Sequence, residues 1–178
     1  MGSAKLLLDL HGQPVIRRSV APLLDVVDEI VVVTGTKDSA LREALAGLPV
    51  RFAVNPHPEH GQGTSIACGV RALGPSTRAA FVVLGDQPRL AAGLMPALLA
   101  AFERSGKPII APVYHGGVQG NPVLFASDVF GELAALDGDA GARAVVKARP
   151  ERVERMLVDA AMPRDLDTPE DYERLQVE

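Results

Sequence analysis

Six short apolar runs, most of them rich in β-branched residues, dominate this chain. They are "EIVVVTG" (29–35), "VRFAVN" (50–55), "AAFVVLGD" (79–86), "PIIAPVY" (108–114), "NPVLFA" (121–126) and "RVERMLVD" (152–159). Runs this short and this branched suit buried strands. Helical patterns fill most of the intervals: 14–24 behind Pro14, 39–46 behind a capping Ser39, 64–73 behind Thr64 and Ser65, and 91–105 up to Gly106. Further helices are predicted at 128–136, 140–148 and 169–175, the last behind "DTPED". Serine and threonine start helices by capping free amides, and glycine ends them in a left-handed turn. Strands alternating with helices predict a mostly parallel sheet covered on both faces. Only the runs at 108–114 and 121–126 are separated by a turn, "HGG".

With 178 residues, a single domain over 1–178 is expected. Net charge is −4 and the basic residues are scattered, which argues against nucleic-acid binding. There is no Trp and few aromatics, so base-stacking platforms are disfavoured. A single cysteine, Cys68, excludes an intrachain disulfide. No apolar run approaches the roughly 20 residues that cross a bilayer. No membrane partner and a cytoplasmic location are the expectation.

In α/β sheets of this kind, ligands bind at the carboxyl ends of strands. Three such ends stand out: "VVTG", "AVNP" and "VVLGDQP". Asp86 lies just past a hydrophobic strand, where a carboxylate can hold Mg²⁺ or cap the next helix. Gly85 beside it leaves room for a ligand to approach the backbone. "HPEHGQGTSIACG" (57–69) is a glycine-containing loop that runs into a helix. Thr64 and Ser65 there sit among free helix amides suited to an anion, and equally to plain capping. His57 and His60 are three apart with no third ligand apparent, and read as loop residues. Cys68 reads as core, His115 as a turn residue, and Asp25, Asp28 and Glu29 as a solvated turn. "GDAGAR" (138–143) and "RDLDTPED" (164–171) are acidic turns able to cap helices or to supply a carboxylate to a metal or polar substrate.

Together, "MGSAKLLLDLHGQPVIRR", "DEIVVVTG", "VNPHPEHGQGTSIACGV", "VVLGDQP", "GNPVLF", "GDAGARAVV" and "DLDTPEDYERL" resemble the MobA-like NTP transferase family. They are most similar to its molybdenum cofactor cytidylyltransferase branch. The resemblance implies a three-layer α/β/α Rossmann-like nucleotidyltransferase domain. It implies attack of a substrate phosphate on the α-phosphorus of an NTP, with CTP favoured over GTP, and release of pyrophosphate. The acceptor it implies is a phosphorylated small molecule such as molybdopterin, with a molybdoenzyme as onward partner. Such a reaction concentrates negative charge, so a metal and a cation must bridge the phosphates. By resemblance, Lys5 contacts the triphosphate and Asp86 holds Mg²⁺. Gly2, Thr34 and Asn55 contact nucleotide, and Gly63, Thr64 and Ser65 enclose the base. Asn121, Asp139 and Asp167 face the acceptor, and Asp139 or Asp167 assists the metal.

The family opens with a strand and a loop of the form L-A-A-G-x-S-x-R-M-G ahead of the lysine. Met1 and Gly2 match the last two positions of that loop. The first strand and the phosphate-cradling glycine are not in the sequence. A start upstream of Met1 is expected, since losing a central strand exposes edges that should pair. The competing reading is a naturally short homologue that binds nucleotide, cofactor or a partner protein without turnover. A third is a transferase acting on another acceptor, such as a sugar phosphate or a phospholactate-type compound.

Overall fold

A computed structural model describes residues 2–177, with side chains from Ala4 onward. Met1, read above with Gly2 as the end of a loop, lies outside the described residues. Gly2 opens a 3-10 helix, Gly2–Leu7. A small hairpin follows, β1 (Asp9–Leu10) with β2 (Gln13–Pro14), turned by His11 and Gly12, both at positive φ. The order is then α1 (Val15–Val20), β3 (Val31–Thr34), α2 (Ser39–Ala44), β4 (Arg51–Val54), α3 (Gln62–Arg71), β5 (Ala79–Val82) and α4 (Leu94–Ser105). The chain continues through β6 (Ile109–Tyr114), β7 (Val118–Gln119), β8 (Val123–Ala126), α5 (Phe130–Ala134), α6 (Arg143–Ala148), β9 (Val153–Leu157) and α7 (Pro169–Val177). All six predicted strands and all seven predicted helical patterns are present, most with shorter bounds.

The main sheet runs β5-β8-β6, with β7 and β9 both pairing with β6. Strand β8 is antiparallel to both β5 and β6, while β6 and β9 are parallel. Strands β5, β6 and β9 therefore share a direction and β8 opposes them. This refines the mostly parallel sheet expected from the alternation. The reason is connector length: residues 115–122 alone join β6 to β8, fewer than the dozen or so that a parallel crossover requires.

Strand β6 is buried on both faces, as the middle layer requires. Ile109 and Ala111 pack with Phe125, Val129, Leu133 and Val146 under α5 and α6. Ile110 and Tyr114 pack on the other face with Leu94, Leu98 and Ala101 of α4. Helix α4 is bounded by Gly93 and Gly106, both left-handed, so its length is set by glycine at each end. A third cluster joins α1 and α2 to β3 and β4 through Ile16, Val20, Leu41 and Leu45. A fourth holds α7 to the N-terminal segment through Leu10, Val15, Leu166 and Leu175. That last cluster carries residues 164–171 back to Lys5.

Strands β3 and β4 form a separate parallel pair. Among the described residues, β3 pairs only with β4 and β5 only with β8. The free edges of β3 and β5 line a cleft of about 810 Å³ together with Leu6, Ile16, Ile66 and Val70. Its walls are mainly aliphatic. This division predicts uneven amide exchange, because unpaired edges open more readily than a doubly paired strand. In native-state hydrogen exchange, β6 amides are expected to be the slowest and those of β3 and β5 facing the cleft much faster. Equal protection across β3, β5 and β6 would contradict the divided sheet.

Candidate active site

Lys5, Asp86 and Asp167 come from distant parts of the sequence and meet. The Lys5 Nζ donates to Asp86 Oδ2 at 2.6 Å and to Asp167 Oδ1 at 2.8 Å. Packing beneath fixes the lysine. A Cβ at Gly85 would lie 2.9 Å from Ile16 Cδ1 and 3.7 Å from Leu6 methyls. Gly85 thus allows close packing of α1 and the 3-10 helix, and it also lines the cleft. Buried Ser19 donates to the Gly85 carbonyl at 2.8 Å, tying α1 to the same turn. The Leu166 amide donates to the Asp86 carbonyl at 3.1 Å and brings Asp167 alongside.

Asp165 and Gln87 were not singled out from the sequence. Gln87 is 2% exposed, and its Nε2 donates to Asp165 Oδ1 at 2.7 Å. In "DLD", the middle Leu166 is fully buried while Asp165 and Asp167 both approach the Lys5–Asp86 pair, an alternation visible in the sequence. Burial, and then the Asp86 and Asp167 carboxylates, push the Asp165 carboxyl above its ordinary range, against the Gln87 hydrogen bond and Lys5. Burial alone would lower the Lys5 ammonium. The hydrogen bonds and charges of Asp167 and Asp86 outweigh it and hold the ammonium above its ordinary value.

The raised Asp165 carboxyl has a testable sign. A carboxyl that binds its proton more tightly when folded favours folding in acid. That contribution is lost as pH rises through the raised value. At neutral pH the ionised Asp165 is therefore a cost. Asp165→Asn keeps an acceptor for Gln87 and removes the charge. Thermal melts at pH 7 are expected to rise by no more than about 2–4 °C, the shift of about 1 kcal/mol in a domain this size, because solvent screens a partly exposed group. The gain should vanish in acid. A lower Tm at pH 7 would contradict the electrostatic account.

A second group gathers at the ends of β3 and β4. The Asn55 amide donates to the Thr34 carbonyl at 2.8 Å, joining the two strand ends. Asn55 is 3% exposed, and its Nδ2 donates to Thr64 Oγ1 at 2.8 Å and Ser65 Oγ at 3.0 Å. Its Oδ1 accepts the His57 amide at 3.0 Å. Thr64 Oγ1 also donates to the Gly61 carbonyl at 2.8 Å, holding the start of α3. Among the described residues, two buried polar atoms have no partner: Thr34 Oγ1 here and Gln87 Oε1 beside Asp165. Buried polar atoms are normally satisfied by protein or bound water, so each of these two side-chain atoms has hydrogen-bonding capacity left over.

The remaining predicted residues lie elsewhere. Gly63 donates its amide to the Gly138 carbonyl at 2.8 Å, which docks "GDAGAR" on the loop before α3. Asp139 is beside Gly61, and no contact joins it to Lys5 or Asp86 among those described. Of the two acidic candidates for assisting a metal, Asp167 is the one brought to Asp86. Asn121 precedes a cis proline, and its carbonyl accepts the Tyr114 hydroxyl. Burial pushes the Tyr114 hydroxyl pKa up to about 12. Gly120 next to it packs against Met162, on the segment that leads to Asp165.

The Asp86 centre fits a hard dication. Two carboxylates bring oxygens to a shared point occupied by Lys5 Nζ, and a third, Asp165, is close enough to feel the charges of all three. Carboxylate oxygens are the ligands Mg²⁺ and Mn²⁺ prefer.

The sequence matches the MobA-like NTP transferase domain over residues 1–153. It is 30% identical over 189 aligned residues to the purine catabolism protein PucB of Bacillus subtilis, covering 99% of this chain and 89% of PucB. It is 36% identical to a probable molybdenum cofactor guanylyltransferase of Natronomonas pharaonis, over 57% of this chain and 48% of that protein. The fold superposes on Rv0371c of Mycobacterium tuberculosis in complex with manganese, with a TM-score of 0.84 and 28% identity, covering 99% of this chain and 94% of that one. No helix among the described residues is long and apolar enough to cross a membrane. With the three-layer fold and a family match over most of its length, this chain belongs to the MobA-like NTP transferase domain family of nucleotidyltransferases.

Proposed function

We propose that this protein transfers a nucleotidyl group, CMP in the favoured reading, from an NTP to a phosphorylated small molecule such as molybdopterin. The observation that carries this reading is the convergence of Lys5, Asp86 and Asp167 within salt-bridge distance. In this proposal Asp86 holds the metal with Asp167 beside it, and Mg²⁺ or Mn²⁺ would supply charge neutralisation on the phosphates. Lys5 exchanges its carboxylate partners for triphosphate oxygens, where a cation offsets the charge that grows in the transition state. Thr34 and Asn55 contact the nucleotide from the strand ends, and Gly63, Thr64 and Ser65 enclose its base. The unpartnered Thr34 Oγ1 supports that placement. The triphosphate belongs at the polar rim, because the cleft between β3 and β5 is lined by aliphatic side chains and strand edges. Asn121 and Asp139 remain acceptor contacts in this reading, with Asn121 nearer the segment carrying Asp165 and Asp167. We place the protein in the cytoplasm, and a molybdoenzyme is its proposed partner downstream.

The test is pyrophosphate release with CTP, GTP and ATP, each with Mg²⁺ or Mn²⁺ and with molybdopterin as acceptor. Release that is fastest with CTP and that needs both metal and acceptor is the expected result. Faster release with GTP would move the base preference, as the relation to a guanylyltransferase allows. Nucleotide binding without release under any condition would favour a non-catalytic homologue. The open edges of β3 and β5 beside the site are the observation on that side.

A further inference from the structure

We propose that His57, Glu59 and His60 form a surface site for a Zn²⁺-class transition-metal ion, separate from the Asp86 centre. The two histidines alone lack a third ligand in the sequence pattern, and the fold supplies it from between them. His57 Nδ1 lies 3.3 Å from Glu59 Oε1, and His60 Nε2 lies 3.9 Å from the same oxygen. One donor atom from each of the three residues falls within 4.8 Å of the others. The two imidazole rings stack, with centroids 5.1 Å apart and planes 16° from parallel, so one exposed ring must turn about its side-chain bonds before both in-plane lone pairs meet at one ion.

The backbone explains the convergence. Pro58–His60 is a 3-10 turn. In such a turn residues three apart eclipse, so His57 and His60 stand one above the other. Pro58 fixes its own φ, and the His60 amide donates to the His57 carbonyl at 3.1 Å. The turn is anchored at its start by the His57 amide on Asn55 Oδ1. Only the side chains need to adjust, and all three are exposed.

The distances suit a tetrahedral ion. Zinc bonds of about 2.0–2.2 Å to nitrogen and oxygen put neighbouring donors about 3.3–3.6 Å apart. One observed separation already has that value, and the others close by rotating exposed side chains. Two imidazoles and one carboxylate are a known kind of zinc donor set, with a fourth position open to water or ligand.

The site has a structural consequence. The His57 amide holds Asn55, and the His57 carbonyl lies 3.2 Å from Thr64 Oγ1, sharing its one proton with the nearer Gly61 carbonyl. An ion that clamps residues 57–60 therefore stiffens the wall of the candidate nucleotide site. The site itself does not depend on the proposed reaction.

The test uses Co²⁺ as a visible probe for the zinc-type site, with Zn²⁺ as competitor, on the full chain. The natural protein is expected to bind one Co²⁺ with a tetrahedral-type visible band that Zn²⁺ displaces and excess Mg²⁺ does not. Asp86→Asn should retain the band. His60→Ala should weaken Co²⁺ binding at least about 10–100-fold, the loss that even an outer ligand partner causes. Glu59→Gln should weaken it as well. Both variants change exposed side chains, and unchanged thermal melts will confirm their folding. Unaltered Co²⁺ affinity in His60→Ala, loss of the band in Asp86→Asn, or absence of the band in the natural protein each overturns the proposal.

Discussion

Asp86→Ala is expected to reduce metal-dependent pyrophosphate release by about 10³-fold or more, equivalent to about 4 kcal/mol of barrier. The carboxylate is one of two that place oxygens at the point occupied by Lys5 Nζ. With it gone, Lys5 keeps only Asp167, whose side chain is 66% exposed. In the proposed reaction the dication would then have one exposed carboxylate in place of a pair, and both charge neutralisation and in-line placement of the phosphates would suffer. The fold should survive, because the tie from Asp86 to Leu166 is through the backbone carbonyl and remains. The circular dichroism spectrum and thermal melt are therefore the necessary companions to the rate. Asp139→Ala is the contrast. That residue sits beside Gly61 and has no described contact with the lysine, so as a proposed acceptor contact its loss should raise the KM for acceptor and change kcat far less. Full activity in Asp86→Ala would remove the metal assignment. Equal losses in both variants would mean that the acidic loops act through folding rather than at the reacting phosphates.

Strand and helix order was legible in the sequence because each element carries its own local signal. Four of the six branched apolar runs end in Gly, Asn or Asp, but helix starts were less legible: α2 is preceded by Asp38 rather than capped by Ser39, and α3 begins at Gln62 behind Gly61, ahead of Thr64 and Ser65. The reversed strand β8 was half legible: the "HGG" turn showed a short connector, and its length sets the strand's direction. Other features depend on which residues meet across long separations. Lys5 and Asp167 are 162 positions apart, so no local pattern joins them, and only the family resemblance pointed to both. Gln87 was passed over because a glutamine between an aspartate and a proline carries no signal of burial. Its neighbour Asp165 did carry one, in the alternation of "DLD" around a buried leucine. Gly85 has a second role that the sequence did not show. A missing Cβ looks the same whether the space is for a ligand or for Ile16, and only packing distinguishes them. His57 and His60 show the converse. Their spacing was visible, but the third donor became evident only when the 3-10 turn brought Glu59 between them.

Gly61→Ala is expected to lower stability by about 2–4 kcal/mol, through backbone strain and a clash together. Gly61 has a φ of +106°, where an L-residue is strained whatever its surroundings. A Cβ there would also lie 2.5 Å from the Gly138 carbonyl oxygen and 2.5 Å from Asp139 Oδ1. The first of these is backbone, so the side chain cannot turn aside and the "GDAGAR" loop must move. That loop is held by the Gly63 amide on the same Gly138 carbonyl, and a Cβ at Gly63 would also come within 2.9 Å of it. Displacing the loop therefore loosens the start of α3, where Thr64 and Ser65 receive Asn55. The expected drop in Tm is about 5–15 °C for a domain of this size. Nucleotide affinity should fall with it. Gly47→Ala separates the two causes. Gly47 has a φ of +80° but nothing within 4 Å of an added Cβ, so it carries the strain without the clash and should lose only about 1 kcal/mol. Gly141→Ala isolates the other case, since its Cβ would meet only the far end of the flexible Gln62 side chain, which can move away. If all three variants melt alike, docking of the two loops contributes nothing beyond glycine's backbone freedom. If Gly61→Ala alone collapses the nucleotide affinity, the contact between "HGQG" and "GDAGAR" is what holds in place the wall proposed to enclose the base.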